Sequence, residues 1–285
     1  MGQLYIVSTP IGNLADISYR AVETLSAVDR VLAEDTRRTT ILFRHYGIDT
    51  PLYSAHAHNE QARSEQLLGW LEAGENVALV SDAGTPLVSD PGARLVNAVL
   101  AGGHRVIPIP GASSLLAAVV GSGLAAEPFT FFGFLPRSGS ERQARLEEVA
   151  GLTHTAILFE APGRTGKLLR DLVQVCAGER RAVVARELTK IHETFVRGTL
   201  AELAAYYGEE PARGEVVVVV AGTEAARGEG EEAETRALAL AREHLARGES
   251  PRDVAKRIIN EVGLPRNRAY EITQTLASRE RGEAP

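Results

Sequence analysis

Cysteine is nearly absent from this chain, whose 285 residues include only Cys176. A single cysteine excludes an internal disulfide framework, and no group of cysteine and histidine residues has the spacing of a zinc site. We therefore expect a protein of a reducing, cytoplasmic compartment that holds no metal, with Cys176 as a buried core residue.

Long hydrophobic runs are also missing. No run approaches the roughly 20 residues of a membrane-spanning helix, and the opening residues MGQLYIV lack the basic region of a signal peptide and read at once as a strand. We expect no membrane association. The remaining composition, 44% hydrophobic and 24% charged, is typical of globular proteins, and the length leaves room for two domains.

The chain has no excess of positive charge, because its formal net charge is −6. That balance argues against broad electrostatic wrapping of nucleic acid. The charge is uneven, however: residues 234–285 hold 10 Lys+Arg and 8 Asp+Glu, a net of +2, and the remainder holds 21 and 29, a net of −8. The tail therefore permits local contact with RNA.

The most informative stretch is residues 76–92, which read NVALVSDAGTPLVSDPG. The apolar run 77–80 predicts a strand buried on both faces of a parallel sheet, and a helical pattern follows the polar Gly/Pro turn. Ligands of open α/β sheets bind just beyond the carboxyl ends of strands, so this turn is the predicted site. Alternatively, Asp82 and Asp90 serve only as turn and N-cap residues.

Strands and helices alternate along most of the chain, which predicts an α/β fold with a mostly parallel first sheet. The predicted strands are residues 4–7, 30–33, 52–54, 77–80, 105–109, 130–134, 156–159, 182–186 and 216–221. Residues 121–123, GSG, mark the predicted junction between two α/β domains.

The predicted domains are residues 1–120 and 121–225, followed by a linker at 226–234 and a small helical appendage at 235–285. The linker is rich in Gly, Ala and Glu. In the appendage Ser250 is a good N-cap, with Pro251 at the first helical position and a carboxylate two residues later.

Two further turns resemble the central one in composition. Residues 10–13, PIGN, follow the first strand, and residues 110–114, PGASS, follow the fifth. Ser113 could merely cap its helix. Three strands that end in small-residue turns with polar tips could nevertheless bind an extended ligand against backbone amides and carbonyls.

Together these stretches resemble the tetrapyrrole-methylase superfamily. The matching residues are LYIVSTPIGNL at 4–14, EDTR at 34–37, SDAGTPLVSDPG at 81–92, PGASS at 110–114, FFGFLP at 131–136, EAPGR at 160–164 and RELTK at 186–190. Within the superfamily they are similar to the bacterial enzymes that methylate a ribose 2′-oxygen of a decoding-region cytidine in small-subunit ribosomal RNA. The first turn is less glycine-rich than in the tetrapyrrole branch, which argues against a porphyrinoid substrate.

The resemblance implies a homodimer of two α/β domains with S-adenosylmethionine (SAM) in the cleft between them. It implies contacts from Asp82, Gly84 and Thr85 to the methionine or ribose part of SAM, and from Ser113 and Ser114 to its carboxylate side. Pro10 is a further residue expected to bind the cofactor. The backbone around Leu158, Phe159, Leu188 and Val216 would enclose the adenine.

A ribose hydroxyl is a poor nucleophile, so a base or an oxyanion stabiliser is expected. The candidates are Glu34, Asp35, Glu187 and Lys190, although Glu34–Arg37 and Glu187–Lys190 could equally be local ion pairs. Candidates for RNA contact are Arg37 and Arg164. The tail adds Arg252, Lys256, Arg266 and Arg268, which could instead form a solvated face. His56 and His58 could contact RNA, act as a base or remain exposed polar residues.

The sequence thus predicts a methyltransferase of small-subunit ribosomal RNA, acting on the assembled 30S particle. One alternative is a SAM methyltransferase of the same fold with a tetrapyrrole or protein substrate. The other is a non-catalytic RNA-binding ribosome factor.

Overall fold

A computed structural model describes residues 1–56, 59–264 and 266–280, and for 224–233 and 278–280 it describes the backbone alone. His58 and Pro265 lie outside these ranges. The chain forms two compact units, Met1–Gly222 and Thr223–Pro285. The predicted domain limits at 120/121 and 225/226 remain predictions.

The first sheet contains five strands in the order β3-β2-β4-β1-β5, and every neighbouring pair is parallel. The strands are β1 (Gln3–Val7), β2 (Arg30–Ala33), β3 (Leu52–Ser54), β4 (Val77–Val80) and β5 (Arg105–Ile109). The helices are α1 (Tyr19–Ala27), α2 (Thr36–Tyr46), α3 (Glu60–Glu72), α4 (Ala93–Ala101) and α5 (Ser114–Ser122). All five strands predicted in this half are confirmed.

Strand β4 lies at the centre of the first sheet and is buried along its whole length. Val77 and Leu79 pack in the hydrophobic cluster on one face, and Ala78 and Val80 in the cluster on the other. Burial on both faces explains why this strand is a continuous apolar run rather than an alternating one. The turn that follows it therefore starts from a rigid position.

The second sheet has the order β6-β7-β10-β8-β9. Its strands are β6 (Phe129–Phe134), β7 (Thr155–Glu160), β8 (Arg181–Arg186), β9 (Thr194–Thr199) and β10 (Val216–Val220). Helices α6 (Gly139–Gly151), α7 (Thr165–Cys176) and α8 (Leu200–Glu209) accompany it. Only β6 and β7 are parallel, since β10 runs antiparallel to β7 and β8, and β9 antiparallel to β8. Strand β9, an edge strand with only partial burial, was not predicted.

Strand β10 shows how the second sheet is covered on both faces. Val216, Val218 and Val220 pack in the helix-side core, which includes Leu168 and Leu200. Val217 and Val219 pack in a separate core with residues of α5, Ile11 and Leu188. The first sheet's last helix thus covers one face of the second sheet.

The second unit consists of α9 (Glu224–Ala246), α10 (Pro251–Val262) and α11 (Arg266–Glu280). Residues 226–234, predicted as a linker, are helical, because the helix-forming Ala and Glu residues of this segment outweigh its glycines. The predicted start of α10 is confirmed: the Asp253 amide donates to the Ser250 hydroxyl at 3.2 Å, and Pro251 opens the helix.

Cys176 ends α7 and is only partly buried against the helix-side core, which corrects the expectation of a buried residue. Burial raises the pKa of its thiol. Within the described ranges, no helix combines the length and the apolar character that crossing a bilayer requires.

Arg180 joins the end of α6 to the end of β10. Its guanidinium donates to the carbonyl oxygens of Ala221 at 2.6 Å, Ala150 at 2.9 Å and Leu152 at 2.9 Å. The side chain is 8% exposed, so these carbonyls have no easy replacement in water.

Replacing Arg180 by Ala is expected to lower the free energy of unfolding by about 2–4 kcal/mol, because the partners of three carbonyls are lost. Chemical denaturation of Arg180→Ala, with Arg181→Ala at the exposed neighbouring position as control, measures this effect. Equal losses in the two variants would contradict it.

Candidate functional site

The ends of β1 and β4 are joined by backbone hydrogen bonds in both directions. The Thr9 amide donates to the Gly84 carbonyl at 2.9 Å, and the Gly84 amide to the Thr9 carbonyl at 3.0 Å. The Thr85 hydroxyl extends the connection, lying 3.0 Å from the Ser8 hydroxyl and donating to the Ala112 carbonyl at 3.3 Å. The predicted convergence of three turns at one sheet edge is confirmed.

Gly84 is required at this junction because its φ of +80° is a conformation that other residues rarely adopt. A β-carbon there would also lie 3.2 Å from the Ile11 side chain. The glycine at position 84 of the central turn therefore allows the backbone there to lie close to the backbone at Thr9.

A cavity of about 360 Å³ opens beside this junction, within the range of small-molecule sites. We call it the main cavity. The first sheet contributes Ile11 and the turns at 83–90 and 113–115. The second sheet contributes Phe134, the segments 159–162 and 214–217, and Leu188. The main cavity therefore lies between the carboxyl-end turns of the first sheet and the second sheet.

Seven of the ten residues predicted to bind the cofactor line the main cavity: Gly84, Thr85, Ser113, Ser114, Phe159, Leu188 and Val216. Leu158 does not, because its side chain is fully buried in the helix-side core while its neighbour Phe159 faces the cavity. Adjacent residues of a strand point to opposite faces, so only the backbone of Leu158 is available on the cavity side.

Ser113 combines two roles. Its hydroxyl accepts from the Leu116 amide at 3.4 Å and caps α5, and the residue also lines the main cavity. The cap hypothesis and the site hypothesis are therefore compatible. The amino end of a helix favours negative charge, so α5 makes this end of the cavity suited to a carboxylate.

Pro10 and Asp82 line a second, smaller depression of about 130 Å³, which also includes Arg38. The Asp82 carboxylate accepts from the Asp35 amide at 2.9 Å and lies 3.6 Å from the Arg38 guanidinium. Asp82 thus joins the end of β4 to the start of α2. Its predicted contact with the cofactor remains a prediction.

Three carboxylates, Glu34, Asp82 and Asp90, lie close together beyond β2 and β4. Burial, together with the charges of Asp82 and Asp90, raises the pKa of Glu34. Burial and the charge of Asp82 likewise raise the pKa of Asp90, against the opposing effect of a hydrogen bond with Ser81. Glu34 and Asp90 therefore hold protons more readily than ordinary carboxylates.

Asp35 is in the opposite situation. It caps α2 by accepting from the Arg37 amide at 2.9 Å, and the Arg37 side chain binds it with a second contact of 2.7 Å. These hydrogen bonds lower the pKa of Asp35 to about 2. Asp35 is therefore a weak base. The ion pair that the sequence suggested between Arg37 and Glu34 forms instead between Arg37 and Asp35.

Glu187 and Lys190 form the ion pair that was the alternative hypothesis, at 2.9 Å, and Lys190 also lies 3.3 Å from Glu215. Burial opposes the charge of Lys190, but the hydrogen bonds to both carboxylates prevail and raise its pKa. The bond from Lys190 lowers the pKa of Glu187. Lys190 thus carries a positive charge at neutral pH and cannot act as a base.

The predicted RNA-binding residues are not equally available. The Arg37 side chain is 88% exposed, whereas Arg164 is paired at 2.6 Å with the buried Glu160. In the second unit Arg252 and Arg266 are exposed. Lys256 lies 3.5 Å from Asp253, and Arg268 is paired with Glu234 and Glu271.

Sequence reasoning missed the contributions of Phe134 and Glu215 to the main cavity, whereas Asp90 belongs to the turn that was predicted as the site. A β-bulge at Phe131/Gly133 shifts the register of β6, and Phe134 lies 5.6 Å from the ring of Phe159 while 55% exposed. The signal was the glycine inside an aromatic strand, since bulges redirect side chains.

His56 is partly buried, and its amide donates to the Asn59 side chain at 2.9 Å. Among the described residues no three His, Cys, Asp or Glu side chains are grouped in a way that could hold a metal ion.

Comparisons with known proteins agree over most of the chain. Residues 3–204 match the family model of the tetrapyrrole (corrin/porphyrin) methylases. A ribosomal RNA small subunit methyltransferase I of Synechocystis sp. is 46% identical over 276 residues, which cover 97% of this chain and 99% of the relative. A protein of the same name from Pseudomonas aeruginosa is 49% identical over 230 residues, covering 80% and 82%.

Among solved structures, this chain is similar to the uroporphyrin-III C-methyl transferase of Thermus thermophilus complexed with S-adenyl homocysteine. The TM-score is 0.56 at 21% identity, covering 77% of this chain and 97% of that one. At this level of identity the similarity concerns the fold alone. It confirms the predicted fold class, a tetrapyrrole-methylase-like α/β fold with two sheets.

The raised pKa of Glu34 makes its ionised form unfavourable in the folded protein. Above the folded pKa this effect destabilises the protein, and below the ordinary pKa near 4.5 it disappears. Glu34→Gln is therefore expected to raise the thermal unfolding midpoint at pH 7, with an advantage over the wild type that shrinks toward pH 4.

Differential scanning calorimetry across this pH range checks the prediction. Glu23→Gln, at an exposed position of α1, is the matched control and should show no such trend. A midpoint for Glu34→Gln that lies below the wild type at pH 7 would count against the electrostatic account.

Proposed function

The chain belongs to the tetrapyrrole (corrin/porphyrin) methylase family, and we propose that it transfers a methyl group from SAM to the ribose 2′-oxygen of a cytidine in the decoding region of small-subunit ribosomal RNA. The similarity to ribosomal RNA small subunit methyltransferase I proteins over 97% of the chain carries the choice of substrate. The cavity between the two sheets supports the choice of cofactor.

The residues of the main cavity suit SAM, which combines a carboxylate, a cationic centre and a flat ring. The amino end of α5 with Ser113 and Ser114 suits the carboxylate. Asp90 and backbone carbonyls suit the positive charge, and the apolar wall of Phe159, Leu188 and Val217 suits the adenine. Bound SAM supplies an electrophilic methyl group.

The protein's own part in the reaction is to position the acceptor and to assist removal of its proton. The start of the turn at 83–90 is joined to the end of β1 by the Thr9–Gly84 hydrogen bonds, which limit its movement. Lys190, which is cationic and lies next to Glu215 in the cavity wall, is suited to stabilising negative charge on an oxygen.

The acceptor would approach from the side of α2, where Arg37 and Arg38 begin the helix. Both guanidinium groups are exposed, with Arg37 at 88% and Arg38 at 61%. Surface ion pairs such as Arg37–Asp35 are weak and can exchange for phosphate contacts. The tail residues Arg252 and Arg266, which are exposed, are further candidates for phosphate contact.

A homodimer acting in the cytoplasm on the assembled 30S particle completes the proposal. Helix α5 supports the dimer, because Leu116 and Val120 are 52% and 76% exposed on it. Exposed aliphatic side chains on one helix are typical of an interface between protein chains.

The alternative of a tetrapyrrole or protein substrate is supported only by the distant fold neighbours, at 21% identity in the case described above. A non-catalytic RNA-binding factor would not require the main cavity, so this alternative leaves the cavity unexplained. Neither alternative accounts for the relatives at 46–49% identity.

The proposal is tested with small ribosomal subunits from a strain that lacks this protein. Purified protein and methyl-labelled SAM should label the small-subunit RNA, and mapping should locate one 2′-O-methylated cytidine. Labelling of a tetrapyrrole but not of RNA would refute the substrate, and SAM binding without any transfer would favour the non-catalytic alternative.

Replacing Arg37 by Ala should raise the KM for the ribosomal subunit about tenfold, because a charge-assisted contact of about 1.4 kcal/mol is lost. The SAM affinity should not change, since Arg37 does not line the main cavity. Steady-state kinetics and titration calorimetry measure the two quantities.

Arg44→Ala is the matched control, because Arg44 is an exposed arginine in the last turn of the same helix. Equal effects of the two substitutions would mean that net charge, rather than a contact at the start of α2, governs binding.

A further inference from the structure

The main cavity has three carboxylates in its wall, Asp90, Glu160 and Glu215. Glu160 is paired with Arg164 at 2.6 Å, and Glu215 with Lys190 at 3.3 Å. Within the described part of the chain, Asp90 has no Lys, Arg or His nitrogen within 4 Å. Of the three, Asp90 alone is therefore free to take up a proton without first breaking an ion pair.

Asp90 is also not needed to cap the helix that follows it. Helix α4 begins at Ala93, and Gly92 at its N-cap position has no capping side chain of its own. Instead Glu60, on α3, accepts from the amides of Gly92 and Arg94, both at 3.1 Å. A distant residue satisfies the helix end, so the expectation of Asp90 as a capping residue is wrong.

The earlier candidates for a catalytic base are less well placed. Glu34, Asp35 and Glu187 are absent from the described lining of the main cavity. Asp35 and Glu187 have lowered pKa values because each is bonded to a cation. Asp90 lies in the wall, and its pKa is raised by burial and by the neighbouring charge of Asp82.

We propose that Asp90 is the general base that removes the proton from the acceptor hydroxyl. This inference rests on the proposed function, because it needs a hydroxyl as acceptor. In the step, the hydroxyl O–H bond breaks and the proton passes to a carboxylate oxygen of Asp90. The oxygen's electron pair forms the new bond to the methyl carbon, and the electron pair of the broken S–C bond stays on the donor's sulfur. Asp90 then releases the proton to water.

The surroundings of Asp90 favour this role. The carboxylates of Glu34 and Asp82 repel its negative charge, and the nearby Arg38 guanidinium lies 3.6 Å from Asp82. The hydrogen bond with Ser81 favours the ionised form and orients it. A carboxylate whose pKa is raised gains a proton more readily than an ordinary carboxylate, which is what proton removal requires.

The test compares Asp90→Asn and Asp90→Glu with the wild type in methylation of small ribosomal subunits. Asp90→Asn should lower kcat by at least about 100-fold, the usual contribution of a general base. Its KM for the subunit should stay within about threefold. Its affinity for SAM, measured by titration calorimetry, should fall much less than kcat, because Asp90 is only one of the groups proposed to face the positive charge of SAM. Asp90→Glu should restore part of kcat, because it retains a carboxylate.

The pH profile separates a base from a structural residue. In the wild type kcat should rise with pH and level off above a single ionisation, Asp90→Glu should shift that ionisation, and Asp90→Asn should show no such rise. Glu65→Gln, at an exposed position of α3, is the control and should match the wild type.

Three outcomes would overturn the inference. Asp90→Asn with a wild-type kcat excludes a base, and a loss of SAM affinity that accounts for the whole loss of activity makes Asp90 a cofactor contact. A 100-fold loss in Glu34→Gln with a normal Asp90→Asn would transfer the role to Glu34. If the wild type transfers no methyl group to RNA, the proposed function fails first, and the role of Asp90 with it.

Discussion

The paired hydrogen bonds between Thr9 and Gly84 are the contact on which the site depends. They join the turns after the first and fourth strands, and the Thr85 hydroxyl adds the turn after the fifth. A larger residue at position 84 would be strained, because Gly84 has a positive φ and a β-carbon there would lie 3.2 Å from the Ile11 side chain. On this side, the shape of the main cavity is therefore set by the backbone of the turns.

The second sheet supplies what the first lacks, an apolar wall. Its cavity face contains Phe159, Leu188 and Val217, and its other face is filled by helices α6–α8. The bulge in β6 moves Phe134 to the cavity side, where it is left 55% exposed. Exposing an aromatic side chain sacrifices burial energy, and a ligand that covers the ring would recover it.

The sequence predicted the parallel sheet and the turns that line the main cavity, because both follow from local patterns. Burial on both faces makes β4 a continuous apolar run, and the turns carry their glycines next to it. Other features depend on distant residues. Glu60 caps α4, so Asp90 is not needed as its capping residue. Glu60 lies 30 residues away from Asp90 in the sequence, and no pattern near Asp90 could reveal this contact. Because neighbouring residues of a strand face opposite sides of the sheet, the Leu158 side chain points away from the cavity. Strand β9 is a partly buried edge strand of mixed composition, which explains why it was not predicted.

Negative and positive side chains occupy different positions around the main cavity. Glu34, Asp82 and Asp90 are near the cavity, while Arg37 and Arg38 are exposed at the start of α2. An RNA phosphate would be repelled by the inner group and attracted by the outer one, so a bound strand would keep its phosphates outside and turn a sugar inward. The same inner group favours a cationic methyl donor. This arrangement brings together carboxylates that are only partly buried and that repel one another. Groups with pKa values perturbed in this way are concentrated at functional sites.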